Sequence, residues 1–135
     1  MSSENIDLIV RIQAGKLREL LKWRTYLKIL VESARKVFGN NIEIYVFGSA
    51  VEGKLTVDSD IDIAIVVEEV PRSGLKRAKL VDKLWKIMES SGVPWWYPFE
   101  IHLLTKEELR LLREAKLVNA SKLVQMKSAE KHYSS

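Results

Sequence analysis

The chain has 135 residues, with 22 Lys and Arg against 18 Asp and Glu, a net charge of +4, 47% hydrophobic residues and no cysteine. This is one domain's worth of length, and it excludes disulfides, thiolate-bound metals and a cysteine nucleophile. No apolar run approaches the roughly 18 residues of a membrane span, and Met1-Ser2-Ser3-Glu4-Asn5 lacks the basic and apolar regions of a signal peptide. A cytoplasmic location with no membrane partner is therefore expected. The small basic excess does not indicate direct nucleic-acid binding, although it suits a polyanion such as a nucleoside triphosphate.

Between Leu17 and Val37 the residues Leu20, Trp23, Leu27, Leu30, Ala34 and Val37 recur at spacings of three and four, the stripe of an amphipathic helix. The stripe is short for a coiled coil and reads as domain core. Gly39-Asn40 should end it. Upstream, Ile6 to Ile12 is apolar enough to be helical, and Gly15 leaves open one frayed helix or two with a bend. Asn41 to Phe47 alternates with a period of two and predicts a strand. Ala50 to Ser59 suits a loop or a short helical turn. Asp60 to Val67 (DIDIAIVV) reads as a central strand covered on both faces.

Pro71 to Gly74 breaks the chain, and Leu75 to Ser90 resumes helical spacing. Its Lys76, Arg77, Lys79, Lys83 and Lys86 read as a solvated face. Gly92 to Pro98 (GVPWWYP) is a rigid loop in which Trp95, Trp96 and Tyr97 fit a loop anchor or a protein interface better than a base-stacking platform. Phe99 to Leu104 (FEIHLL) predicts a third strand. Thr105-Lys106-Glu107-Glu108 has capping-box spacing and should open a helix reaching about Leu117. Residues 1–120 are expected to form a single domain, with 121–135 as a loose tail.

The chemistry concentrates where Gly48-Ser49 is followed, ten residues later, by Asp60-Ile61-Asp62. Alternating strand residues share a face, so Asp60 and Asp62 should project together with Cα atoms roughly 6.5–7 Å apart. Two carboxylates in a strand of Ile, Ala and Val call for a cation. Oxygen donors without a thiolate or imidazole cluster point to Mg²⁺ or Mn²⁺. Glu100, the acidic residue of FEIHLL, supplies a third carboxylate if the third strand pairs beside the second; an exposed edge-strand carboxylate is the plain alternative. Such a cluster describes a phosphoryl or nucleotidyl transfer centre. Gly48 and Ser49 allow backbone N–H groups to approach phosphate oxygens, and Gly53 with Lys54 adds a flexible point and a cation. Ser49 reads as a phosphate contact rather than a nucleophile, since no base is patterned beside it. His102 shares the face of Glu100 and reads as a structural imidazole near the site. There is neither a GxxxxGK[ST] nor a GxGxxG motif.

At FGSxxEG, SDIDIAI and PFEIHLLT the chain resembles the polymerase-beta-type nucleotidyltransferase superfamily, and within it the minimal stand-alone archaeal proteins. The resemblance spans roughly Leu17 to Leu109. It implies an α/β (α+β) fold, a small mixed sheet flanked by helices. It also implies catalytic and metal-binding roles for Asp60, Asp62 and Glu100, triphosphate binding by Gly48 and Ser49, and transfer of a nucleoside monophosphate, AMP above all, to an acceptor hydroxyl. Many relatives carry Arg where this chain has Glu52, which removes one phosphate contact. Template-directed synthesis is not expected, because the template-binding modules of large polymerases are absent. Minimal proteins of this kind often accompany a helical HEPN-domain partner, acting as antitoxins by AMP transfer or by binding alone, while other relatives modify small molecules. A homo-oligomer also stays open.

Overall fold

A computed structural model describes residues 3–112 and 114–125. Two helices open the chain, α1 (Ser3–Leu20) and α2 (Trp23–Phe38). They are followed by β1 (Glu43–Phe47), the short α3 (Ser49–Glu52), β2 (Ile61–Val66), α4 (Gly74–Ser90) and β3 (Phe99–Leu104). The chain then forms α5 (Lys106–Leu109), a 3-10 turn over Arg110–Leu112 and a two-residue β4 (Val118–Asn119). No helix among the described residues is long and apolar enough to cross a membrane.

The sheet is mixed, with order β3-β2-β1-β4. β1 runs antiparallel to both β2 and β4, whereas β2 and β3 run parallel, joined by a crossover through α4. Period-two alternation sorts the strands into faces. Ile61, Ile63 and Ile65 of β2 are fully buried with Ile44 and Val46 of β1, and they form one core with Leu27 and Leu30 of α2 and Leu84 and Met88 of α4. On the opposite face Ala64 and Val66 are buried as well, but Asp62 stays partly exposed. The expected central strand is therefore covered on both faces except at its acidic end.

The stripe from Leu20 to Ala34 is buried as anticipated, yet it belongs to two helices. The break falls at Leu21–Lys22, not at Gly15, through which α1 runs unbroken. Leu21 N–H still donates to the Leu17 carbonyl at 2.9 Å, and Lys22 N–H then tightens onto Glu19 at 3.2 Å. The decisive partner comes from far along the chain. The Tyr97 hydroxyl lies 2.7 Å from the Leu20 carbonyl and 3.0 Å from that of Glu19, occupying acceptors that a continuing helix would have used itself. Tyr97 is buried against Tyr26 and Phe99, with ring centroids at 4.6 and 4.9 Å. Burial, together with the nearby Tyr26 and Glu19, holds its hydroxyl in the protonated form.

α2 ends at Gly39, whose φ of 88° favours glycine. The expected capping box is present, with the Thr105 side chain accepting from Glu108 N–H and the Glu108 carboxylate accepting from Thr105 N–H. The helix it opens is shorter than expected. α5 stops at Leu109 and passes into the 3-10 turn, and further on Val118 and Asn119 lie on the edge of β1 opposite Val46 and Tyr45, in place of a helix reaching Leu117. Of the loose tail expected over 121–135, residues 121–125 belong instead to a helical segment covering 120–125. The Asn119 side chain caps it through Ser121 N–H at 2.9 Å, and Ala120 and Leu123 join the core. Residues 126–135 lie outside the described residues.

Candidate active site

β1 delivers the chain to Gly48, and the pairing of Phe47 with Asp62 sets the start of the following turn beside the Asp62 carboxylate. Gly48 has φ 78° and ψ −151°. A Cβ there would stand 2.4 Å from Asp62 Oδ2, closer than any packed carbon is tolerated. Glycine is needed twice over, for the backbone conformation and for the space. The turn then closes as α3, with Val51 and Glu52 N–H groups donating to the Gly48 carbonyl at 3.2 Å. The amides of Ser49 and Ala50 are left without an intrahelical acceptor. Gly53, in the left-handed region at φ 71°, ends α3, and Lys54 N–H donates to the Ser49 carbonyl at 3.0 Å. Gly53 and Lys54 are both exposed.

Parallel pairing supplies the remaining groups. Asp62 stands opposite Glu100 in the β2–β3 register, and His102, two residues on, falls on the same face. Ligand atoms of Asp62, Glu100 and His102 all lie within 4.8 Å of one another. His102 Nε2 is 3.7 Å from Asp62 Oδ1 and 3.9 Å from Glu100 Oε1, so it faces both carboxylates without bonding closely to either. Its ring leans on Phe47, centroid to centroid 5.7 Å. The Glu100 side chain is 54% exposed and that of Asp62 24%.

Asp60 does not join this group: it sits one residue before β2, exposed, where the turn over Thr56–Ser59 hands over to the Ile61 N–H bond to the Pro98 carbonyl. His102 completes the compact group, within reach of both carboxylates. The signal for it was its i, i+2 relation to Glu100 in a strand. Two carboxylates and an imidazole are a donor set suited to a divalent cation, and the carboxylate majority suits Mg²⁺ or Mn²⁺.

The family model of the nucleotidyltransferase domain matches residues 27–124, which contain all of these groups. This chain belongs to the nucleotidyltransferase domain family. Its members are transferases, and the site just described lies within the matched span. The chain is also 33% identical over 96 residues to spectinomycin 9-adenylyltransferases of Staphylococcus aureus, including those of strains Mu50 and N315. That match covers 56% of this chain and 36% of each relative, so the chain spans about a third of the relatives' length. Among solved structures, a Sulfolobus solfataricus protein described as a candidate nucleotidyltransferase superposes with a TM-score of 0.56 at 21% identity, covering 76% of this chain and 84% of that one. The likeness shows a shared nucleotidyltransferase fold.

Proposed function

We propose that the chain is a divalent-metal-dependent enzyme that moves a nucleoside monophosphate from an NTP to an acceptor hydroxyl, releasing pyrophosphate. The observation carrying this reading is the packing of Gly48 on Asp62, with no room for a Cβ between them. It sets the amides of a glycine-opened turn beside a carboxylate, so triphosphate and cation would share one place. Asp62 and Glu100, with Asp60 as the third carboxylate, would hold Mg²⁺ or Mn²⁺. When bound, the ion offsets charge on phosphate oxygens and favours deprotonation of the attacking hydroxyl.

The chain's own groups do the positioning. Gly48 and Ser49 would bind triphosphate oxygens through backbone N–H and hydroxyl, while Gly53 and Lys54 extend that contact with a movable cation. His102, 3.7 Å from Asp62 and 3.9 Å from Glu100, would help to orient the two carboxylates toward the ion. The preference for AMP follows from the adenylyltransferase name carried by the staphylococcal relatives. The exposure of Glu100 supports an acceptor carried on a macromolecule, and a HEPN-type helical protein in the same cytoplasm is the acceptor we favour. Incubation with α-labelled ATP, Mg²⁺ or Mn²⁺ and that partner should label the partner, and Asp62→Asn should stop the labelling.

A second reading is a non-catalytic antitoxin that keeps the nucleotide-binding fold and works by occlusion. It is favoured by Trp95 and Trp96, which stand 77% and 48% exposed on the loop before β3, as interface anchors do. A stable complex that never acquires label with any NTP would select this reading over transfer.

A further inference from the structure

α1 is apolar and almost uncovered. Ile6, Leu8, Ile9, Val10, Ile12 and Leu17 are between 37% and 57% exposed, and Leu20, at the root of the helix, is buried. An 18-residue helix about 27 Å long is marginal in water on propensity alone, and one with this much exposed hydrocarbon needs a covering surface. Ser3, Ile6, Val10, Leu17 and Leu21 follow one side of the helix, while Leu8 and Ile12, four apart, lie on another.

The charges on the helix say what covers it. Its outer half carries Glu4 and Asp7 and no base, whereas Arg11, Lys16 and Arg18 follow toward the root. None of these five is ion-paired among the described residues. The one other acid of the helix, Glu19, is already engaged by Tyr26 and Lys22. A second copy laid antiparallel brings each acidic half onto a basic half, and a parallel copy would stack like charge on like.

We propose that α1 is a dimerisation arm, and that two copies of this chain associate through antiparallel α1 helices about a two-fold axis. In this arrangement Ile6 of one copy meets Leu17 of the other, with Asp7 on the same flank as Arg18 of the second copy. The outer end of each arm reaches the root of the other, where Tyr97 fixes Leu20 and the exposed Trp95 and Trp96 stand on the same loop. The inference is independent of the proposed chemistry, because Asp62 and Glu100 take no part in it.

The test is the solution mass of the full chain by sedimentation. The wild type should have twice the 15.5 kDa chain mass. Glu4→Lys with Asp7→Lys leaves Glu19 as the arm's only acid, and Arg11→Glu with Lys16→Glu and Arg18→Glu makes the arm acidic. Each variant alone should associate at least tenfold more weakly, and an equimolar mixture should recover the dimer, which also shows that both are folded. Because the chain has no cysteine, orientation can be read by oxidising a mixture of Ser3→Cys and Leu21→Cys chains. Disulfides between the two variants are expected. A monomeric wild type, as a membrane or an unrelated protein on α1 would give, overturns the proposal. So does a dimer indifferent to both charge variants, or preferential Ser3→Cys self-linkage. Loss of nucleotidyl transfer in an Asp62→Asn chain that remains dimeric would bear on the catalytic reading alone.

Discussion

The Tyr97 hydroxyl is bound to the Leu20 carbonyl across 77 residues of chain, and the contact is buried. It ends one helix, starts the angle of the next and fixes the root of α1 in a single interaction. Replacing Tyr97 with Phe keeps the ring contacts with Tyr26 and Phe99 but leaves a buried carbonyl without its donor. We expect a loss of roughly 1–3 kcal/mol in urea unfolding. An unchanged midpoint would mean that the break at Leu21–Lys22 is held by other bonds.

Gly48→Ala should damage the site more than the fold. The substitution meets both an unfavourable φ and the Asp62 oxygen at 2.4 Å. Strain of order 1–3 kcal/mol is expected in thermal unfolding. Titration calorimetry with ATP and Mg²⁺ should show nucleotide affinity falling at least tenfold. A variant with wild-type affinity would separate the turn from the carboxylate.

The carboxylates and the imidazole should part company in kinetics. On the proposed chemistry Asp62→Asn and Glu100→Gln should lower the rate of transfer at least a hundredfold, whereas Asp60→Asn, outside the compact group, should cost less. His102→Ala should act through ligand orientation, weakening Mn²⁺ binding in the absence of nucleotide, with partial recovery in His102→Asn. Equal losses at Asp60 and Asp62 would return Asp60 to the centre of the site.

Stability against pH should carry the mark of the Tyr26 hydroxyl, which donates to Glu19. That bond, with Lys22 alongside, lowers the Glu19 carboxyl, so its contribution is present above the ordinary carboxylate value and fades as pH falls through the lowered one. The same bond raises Tyr26 to about 12, so on the alkaline side the contribution holds below the ordinary phenol value of about 10 and is lost as pH rises toward 12. In Tyr26→Phe the alkaline loss over that window should shrink and the acid loss should soften. Unfolding midpoints measured across both windows would reveal it.

Much of this was legible in the sequence where local chemistry is decisive. FEIHLL is bounded by Pro98 and a capping Thr105, and β3 occupies those six residues. Gly48 and Asp62 were marked by spacing alone and prove to touch. What escaped depends on distant partners. The three-and-four spacing passes unbroken from Leu20 to Trp23, so nothing local announces a break imposed by Tyr97. Two residues, Val118 and Asn119, are too few for a period, and only the free edge of β1 makes them a strand. Asp60 lies one residue before β2, so its position relative to Asp62 follows from the preceding turn rather than from alternation, and the approach of His102 to Asp62 depends on a β2–β3 register that sequence does not print.

Asp62 and Glu100 belong to strands joined by the whole of α4, and they meet only when the crossover has docked and the parallel pairing is in register. A slip of one residue would turn Glu100 and His102 toward the helices and bring Phe99 and Ile101 to the open face. Chains in that condition would have no cluster to offer a cation. If the proposed ion binds there, it would act as a selective ligand of the native sheet, drawing the folding equilibrium toward it by mass action.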